Sequence, residues 1–309
     1  GGHWAGWLPG ASEGGGAGDG GLDVKWGITP RMTADLTWRT DFSQVEADQE
    51  QVNLDRFPLF FPEKREFFIE NSGTYQFGDV QERNYRLGAA PRDFTLFNSR
   101  RIGLEDGRPV PIVAGARVTG RAAGFEVGAL NMQTEQTDVL AAENFTVARA
   151  RRNLFDAVDV GAIFTNRQST TGASAHNRAW GFDANARLLG NLVVHSYYAE
   201  VDDSEEGPLP PDPGDETPVG DPRAMRLSAA WRGDVLNTSV LWRRIGDRFE
   251  PDVGFVRRRG VEHWYGTFGV HPQPGVAGIN EVNPYVEVEH YLDLGGIAQT
   301  RNLVGGVAV

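Results

Sequence analysis

The chain has no cysteine, which excludes disulfides, a thiol nucleophile and any cysteine-ligated zinc site. It also lacks an apolar run near the roughly 20 residues that a membrane helix requires. That absence excludes helical spanning and leaves a membrane β-barrel open, because each barrel strand carries a much weaker signal. Basic residues are outnumbered, with 30 Lys and Arg against 42 Asp and Glu and a net charge of −12. Such a balance argues against nucleic acid as a partner, since phosphate binding needs clustered cations. The histidines at 3, 176, 195, 263, 271 and 290 are scattered without metal-site spacing, so no bound metal is expected. There is no GxSxG nucleophile elbow. The GAGDGG stretch lacks the strand-then-helix context of a nucleotide loop. No catalytic residue, cofactor or metal is assigned on these grounds.

What the chain does have is alternation. Residues 32–42 read MTADLTWRTDF. Met32, Ala34, Leu36, Trp38 and Phe42 fall on one face of an extended strand, and Thr33, Asp35, Thr37, Arg39 and Asp41 on the other. Strands are expected at 22–28, 32–42, 112–121, 125–134, 144–152, 158–167, 178–188, 191–201, 223–232, 235–244, 261–271, 281–292 and 297–309. Many are about as long as the 9–11 residues of a tilted strand that crosses a bilayer.

The connections alternate as well. Those after the first, third, fifth, seventh and ninth strands are short, and most of the others are long, as in outer-membrane barrels. With that orientation, Trp38, Phe145, Phe164, Trp180, Trp242 and Trp264 reach the long-loop ends, and Trp26, Phe125 and Trp231 reach the short-turn ends. Aromatic belts at both ends suit membrane interfaces, whereas a soluble sandwich, the competing reading, has no need to sort its aromatics. The expected fold is therefore all-β: an antiparallel transmembrane outer-membrane β-barrel, incomplete in this chain, with a long insertion after strand 2. Asp35, Arg39, Arg117, Arg121, Asp183, Arg187, Arg226 and Arg232 are expected to face its lumen. Their mixed signs favour cross-linking of the wall over a charge filter.

Residues 1–21 are Gly-rich and read as a linker or truncated edge, ahead of barrel residues 22–309. The chain opens at Gly1 and closes on TRNLVGGVAV, which reads as a piece of a longer protein. Residues 43–111 break the strand pattern and are expected to plug the barrel or cover its outer mouth. The candidates there are Phe57, Phe60, Phe61, Glu63, Lys64, Arg65, Glu66, Phe67, Phe68, Arg100 and Arg101. Together with Leu59 and Ile69, the aromatics form an apolar cluster that must be buried. Two carboxylate groups, Glu46, Asp48 and Glu50, then Glu63, Glu66 and Glu70, raise the question of glycoside hydrolysis. Pairing with Lys64, Arg65, Arg100 and Arg101 is the simpler reading. The acidic, Pro-rich stretch at 202–221 reads as a solvated loop, with divalent-cation capture as the alternative.

The block DVKWGITPRMTADLTWRTDFSQVEADQEQVNLDRFPLFFPEKREFFIE carries a resemblance, together with LFNSRRIG, the GARVTGR and GALNMQT hairpin, and GFVRRRG at 254–260. From about residue 21 onward the chain resembles bacterial outer-membrane β-barrel proteins of uncharacterised function that often carry an N-terminal carbohydrate-binding family 9-like domain. The resemblance implies an outer-membrane location and a sugar-related context, and it transfers no catalytic residue. The implied sugar-binding domain would precede Gly1. The expected function is a channel or surface receptor linked to polysaccharide or oligosaccharide handling. Its expected partners are outer-membrane lipid, lipopolysaccharide, the barrel assembly machinery and oligosaccharide. The alternatives are a membrane-anchored glycan hydrolase and a non-conducting anchor for a carbohydrate-binding domain.

Overall fold

The structure is a computed structural model that describes residues 21–39, 57–79, 83–84, 88–89, 93–105, 108–138, 140–171, 175–204, 220–273, 275 and 281–308. The Gly-rich start, Glu46, Asp48, Glu50 and most of the acidic loop at 202–221 lie outside these residues.

Thirteen strands form one sheet: β1 (Leu22–Thr29), β2 (Met32–Trp38), β3 (Ile112–Ala122), β4 (Phe125–Thr134), β5 (Glu143–Leu154), β6 (Val158–Ser169), β7 (His176–Leu188), β8 (Leu192–Asp203), β9 (Arg223–Arg232), β10 (Leu236–Ile245), β11 (Val261–Val270), β12 (Asn283–Asp293) and β13 (Ala298–Ala308). Each pairs antiparallel with its neighbours in chain order, and β1 and β13 are not paired with each other among the described residues. Because the strands alternate in direction and their number is odd, these two edge strands run the same way.

Alternation makes the strands, and left-handed turns set their register. Ala123 and Gly124 have φ of 50° and 81°, and Leu189 and Gly190 have 51° and 77°. Two successive left-handed residues are the type I′ geometry that matches strand twist in tight hairpins. β2 stops at Trp38 rather than at residue 42, because Arg39 turns to φ 47°. Arg39 is thus a correction: it lies outside the strand, exposed, with its guanidinium 5.6 Å from the Trp38 ring.

The two faces of the sheet differ in kind. On one face Leu36, Phe182, Leu227, Val240, Phe268 and Val288 are exposed; Phe182 is 57% accessible and Leu227 55%. Trp26, Trp38, Phe125, Phe164, Trp180 and Trp264 are exposed on the same face, and Trp231 and Trp242 are half-buried there. On the opposite face charged residues are buried: Asp35, Arg117, Arg149, Arg226, Arg243 and Glu287. Phe145, expected in an aromatic belt, is 3% exposed on this second face, beside Val147 and opposite Met132. Its position in the alternation, not its nearness to a strand end, decides its surroundings.

The buried face is covered by an insert. Residues 57–79 and 93–105 follow β2, and residues 246–260 follow β10. The two connections are stitched together. Phe94–Thr95 pairs with Phe255–Val256, Asn98 N donates to Val253 O at 2.7 Å, and Arg257 N donates to Asp93 O at 2.8 Å. The insert touches β1 through Glu70 and Lys25 and β10 through Asp79 and Arg243, so the sheet wraps around it.

Candidate functional site

The insert core consists of Phe68, Tyr75, Phe77, Phe94, Leu96 and Ile102, joined by Phe249 and Val253 from the second connection. Phe94 packs edge-on to Phe249 at 5.3 Å and lies 5.2 Å from Tyr197 of β8. Only Phe68 of the expected apolar cluster is fully buried; Phe57, Leu59, Phe60, Phe61 and Phe67 are half-buried and Ile69 is exposed. Phe77 reaches the sheet because β7 carries Gly181 there, where an added Cβ would sit 2.5 Å from the ring.

Charge holds the insert at three places. At the first, Arg117 Nη2 and Nε donate to Asp35 at 2.6 and 3.0 Å, while its Nη1 donates to Glu70 O at 2.7 Å. Glu70 also pairs with Lys25. The Lys25 hydrogen bond is the main reason its carboxyl stays below the usual carboxylate range, against partial burial and with help from Arg117. At the second, buried Arg65 forks onto Glu63 at 2.8 and 2.9 Å and caps Ser99 O and Ile102 O, both at 2.7 Å. Burial pushes the Glu63 carboxyl up, but Arg65 and the Ser99 hydroxyl outweigh it and hold it below the usual range.

At the third, Asp79 of the insert accepts from Arg226 at 2.9 Å and from the Tyr197 hydroxyl at 3.2 Å, and it also pairs with Arg243. Arg243 continues to Asp93 at 2.6 Å, which Arg257 also approaches at 3.5 Å. Beside this network lies a cavity of about 460 Å³ between insert and sheet. Phe77, Gly78, Asp79 and Thr95 line its insert side; Arg149, Arg151, Asp159, Asp183, Asn185, His195 and Arg226 line its sheet side. This volume lies within the roughly 300–1,000 Å³ of ligand pockets. Arg149 grips Asp183 with both terminal nitrogens, and its guanidinium carbon is 5.5 Å from the Phe77 ring centre.

Residues 12–158 match the model of a family described as a domain of unknown function (DUF5916). The match spans the first part of the insert and β1 to β5, and it stops before the second connection that completes the insert. No curated protein and no solved structure matches the chain.

Of the residues expected to point inward, Asp35, Arg117, Asp183 and Arg226 lie on the covered face beneath the insert. Arg121, Arg187 and Arg232 share that face, at the short-turn ends of β3, β7 and β9. In the insert, Arg65 and Arg100 are buried, Lys64, Glu66 and Arg101 are exposed, and Glu63 is half-buried. Asp79 and Asp93 escaped the sequence reading. Each is an isolated carboxylate without a motif, and the arginines that claim Asp79 lie 147 and 164 residues away. Glu63 is committed to Arg65 and Glu70 to Lys25 and Arg117, while Glu66 is exposed. Among the described residues no cluster suited to a metal ion occurs.

Proposed function

We propose that this sheet is the wall of a bacterial outer-membrane barrel whose lumen holds the insert, and that the protein is a channel or surface receptor for oligosaccharide-type solutes. One observation carries the reading: the faces are inverted relative to a water-soluble sheet. Charged side chains are buried beneath the insert while Leu36, Phe182, Leu227 and Phe268 are left uncovered. A contiguous exposed apolar patch larger than a few hundred Å² is rare on a soluble monomer and needs an apolar occupant. Lipid satisfies it, and strands β3 to β13 are 10–13 residues long, enough to cross a bilayer at a tilt. The polar cavity with its Phe77 and Tyr197 rings suits a hydroxyl-rich solute, and the family resemblance points to the same sugar context. Lipopolysaccharide and the barrel assembly machinery are then its partners. A role as non-conducting anchor has one favouring observation, the close fit of the insert across the sheet.

The test is reconstitution into vesicles whose lipids carry brominated acyl chains. Trp26, Trp38, Trp180 and Trp264 are on the uncovered face and should be quenched strongly. Unquenched tryptophan emission would overturn the membrane reading. Planar-bilayer recording on the same preparation separates channel from anchor: discrete conductance steps support the channel, and a silent, fully assembled protein supports the anchor.

A further inference from the structure

We infer that the cavity under the insert takes a small solute bearing a phosphate or carboxylate group, and that arginines on the covered face draw it in. The inference deepens the proposed function, resting on its reading of the covered face as the solute-facing side. The cavity wall contains three arginines and three aspartates, so charge counting alone predicts no preference. The hydrogen bonding breaks the tie. Asp183 is held at both oxygens by Arg149. Asp79 is shared by Arg226, Arg243 and Tyr197. Asp159 accepts from Asn185 at 2.9 Å and meets Arg151 at 3.5 Å. The carboxylates are therefore all engaged.

The cationic side has donors to spare. The Nε atoms of Arg149 and Arg151 are buried without a hydrogen-bond partner, and both residues line the cavity. The Arg149 side chain is only 1% exposed. A buried donor left unsatisfied is a standing free-energy cost, so an oxyanion drawn toward these guanidinium groups offsets part of what the protein alone leaves unmade. Two residues beyond Asn185 on the same face of β7 stands Arg187, exposed and with no ion-pair carboxylate among the described residues. Arg121 and Arg232 extend the basic character along the short-turn ends; Arg121 meets Glu126 only at 4.0 Å, and Arg232 bonds the neutral Asn237. Asp156 and Asp234 in the turns offset part of this charge. Arg187 remains the unneutralised cation nearest the cavity along β7.

The experiment is calorimetric titration of the folded protein in neutral detergent with glucose 6-phosphate, glucuronate and glucose. Both anions should bind, glucose should bind about tenfold or more weakly, and salt should weaken the anions selectively. Arg151→Gln and Arg187→Gln should each weaken anion binding several-fold. Asp159→Asn should tighten it, because it removes the carboxylate facing the site. A merely structural role for these residues would not move Arg151→Gln and Asp159→Asn in opposite directions. Failure of both anions to bind overturns the inference, as does glucose binding equally well or an unchanged affinity in Arg187→Gln. Arg187 is exposed, so that variant keeps the test open if Arg151→Gln does not fold. Lipid quenching is measured without solute, so loss of anion binding with quenching intact refutes this inference and leaves the membrane reading standing.

Discussion

Asp79→Ala should be among the most damaging single substitutions in the insert. The Asp79 side chain is 6% exposed and joins the insert to β8, β9 and β10 at once. Removing its carboxyl has unequal consequences for its two arginines. Arg243 keeps Asp93 at 2.6 Å, whereas Arg226, with a side chain 3% exposed, loses the carboxylate at 2.9 Å and keeps the neutral Ser228 hydroxyl at 3.4 Å. Breaking a buried pair by removing one partner costs about 3–5 kcal/mol, because the other charge stays buried and unpaired. Since Arg243 retains Asp93, the lower end of that range, about 3 kcal/mol, is expected. Arg226→Met alone should cost less, about 1–2 kcal/mol, since Asp79 keeps Arg243 and Tyr197. The double variant Asp79→Leu with Arg226→Met should regain part of the Asp79→Ala loss, because hydrophobic replacement of a whole pair is often nearly neutral. The assay is urea unfolding in detergent followed by tryptophan emission, with proteolysis within the insert as a local probe. A loss below about 1 kcal/mol for Asp79→Ala, or a double variant no better than the single, would refute the claim that desolvated charge holds the insert.

Three further outcomes follow from the same geometry. Gly181→Leu should displace Phe77 and raise protease sensitivity at residues 57–79 while the sheet persists by circular dichroism, because the ring fills the space a side chain would need. Phe182→Arg on the uncovered face should cost about 2–4 kcal/mol of folding stability in lipid vesicles and much less in a detergent with a mobile apolar phase; equal cost in both would oppose a bilayer around this face. Asp252, in the second connection, has its carboxyl pushed up to about 6, chiefly by burial, with Arg167 pulling it down and Asp203 and Glu250 pushing it up. The folded state therefore binds this proton more tightly than the unfolded chain does. The associated stability is present below about pH 4 and is lost as pH rises through about 6, amounting to about 3 kcal/mol. Asp252→Asn should flatten that part of the stability–pH curve, and an unchanged curve would refute the assignment.

The strand pattern was legible because it is local. Alternation at residues 32–38 or 178–188 needs no knowledge of the rest of the chain, and left-handed pairs such as Ala123-Gly124 mark the hairpins between strands. The mixed-charge face was legible for the same reason, since Asp35, Arg117, Asp183 and Arg226 keep period two within their strands. Arg39 and Phe145 were misread where a local rule ended: a left-handed residue stops β2, and alternation overrides position along β5.

What the sequence by itself determined is thus the all-β class, the thirteen-strand meander and the chemical difference between its faces. Tertiary structure alone decided how the faces are used. Residues 57–79 and 93–105 are far in the chain from residues 246–260, and their pairing through Phe94–Thr95 and Phe255–Val256 builds the body that covers the polar face. Tertiary structure also chose Asp79 and Asp93 as the carboxylates that bind the sheet's arginines, and it created the cavity beside them. The physical reason is distance along the chain. A strand's periodicity is set by neighbours two residues apart, whereas the Asp79 ion pairs join groups 147 and 164 residues apart, whose meeting leaves no pattern in the order of the amino acids.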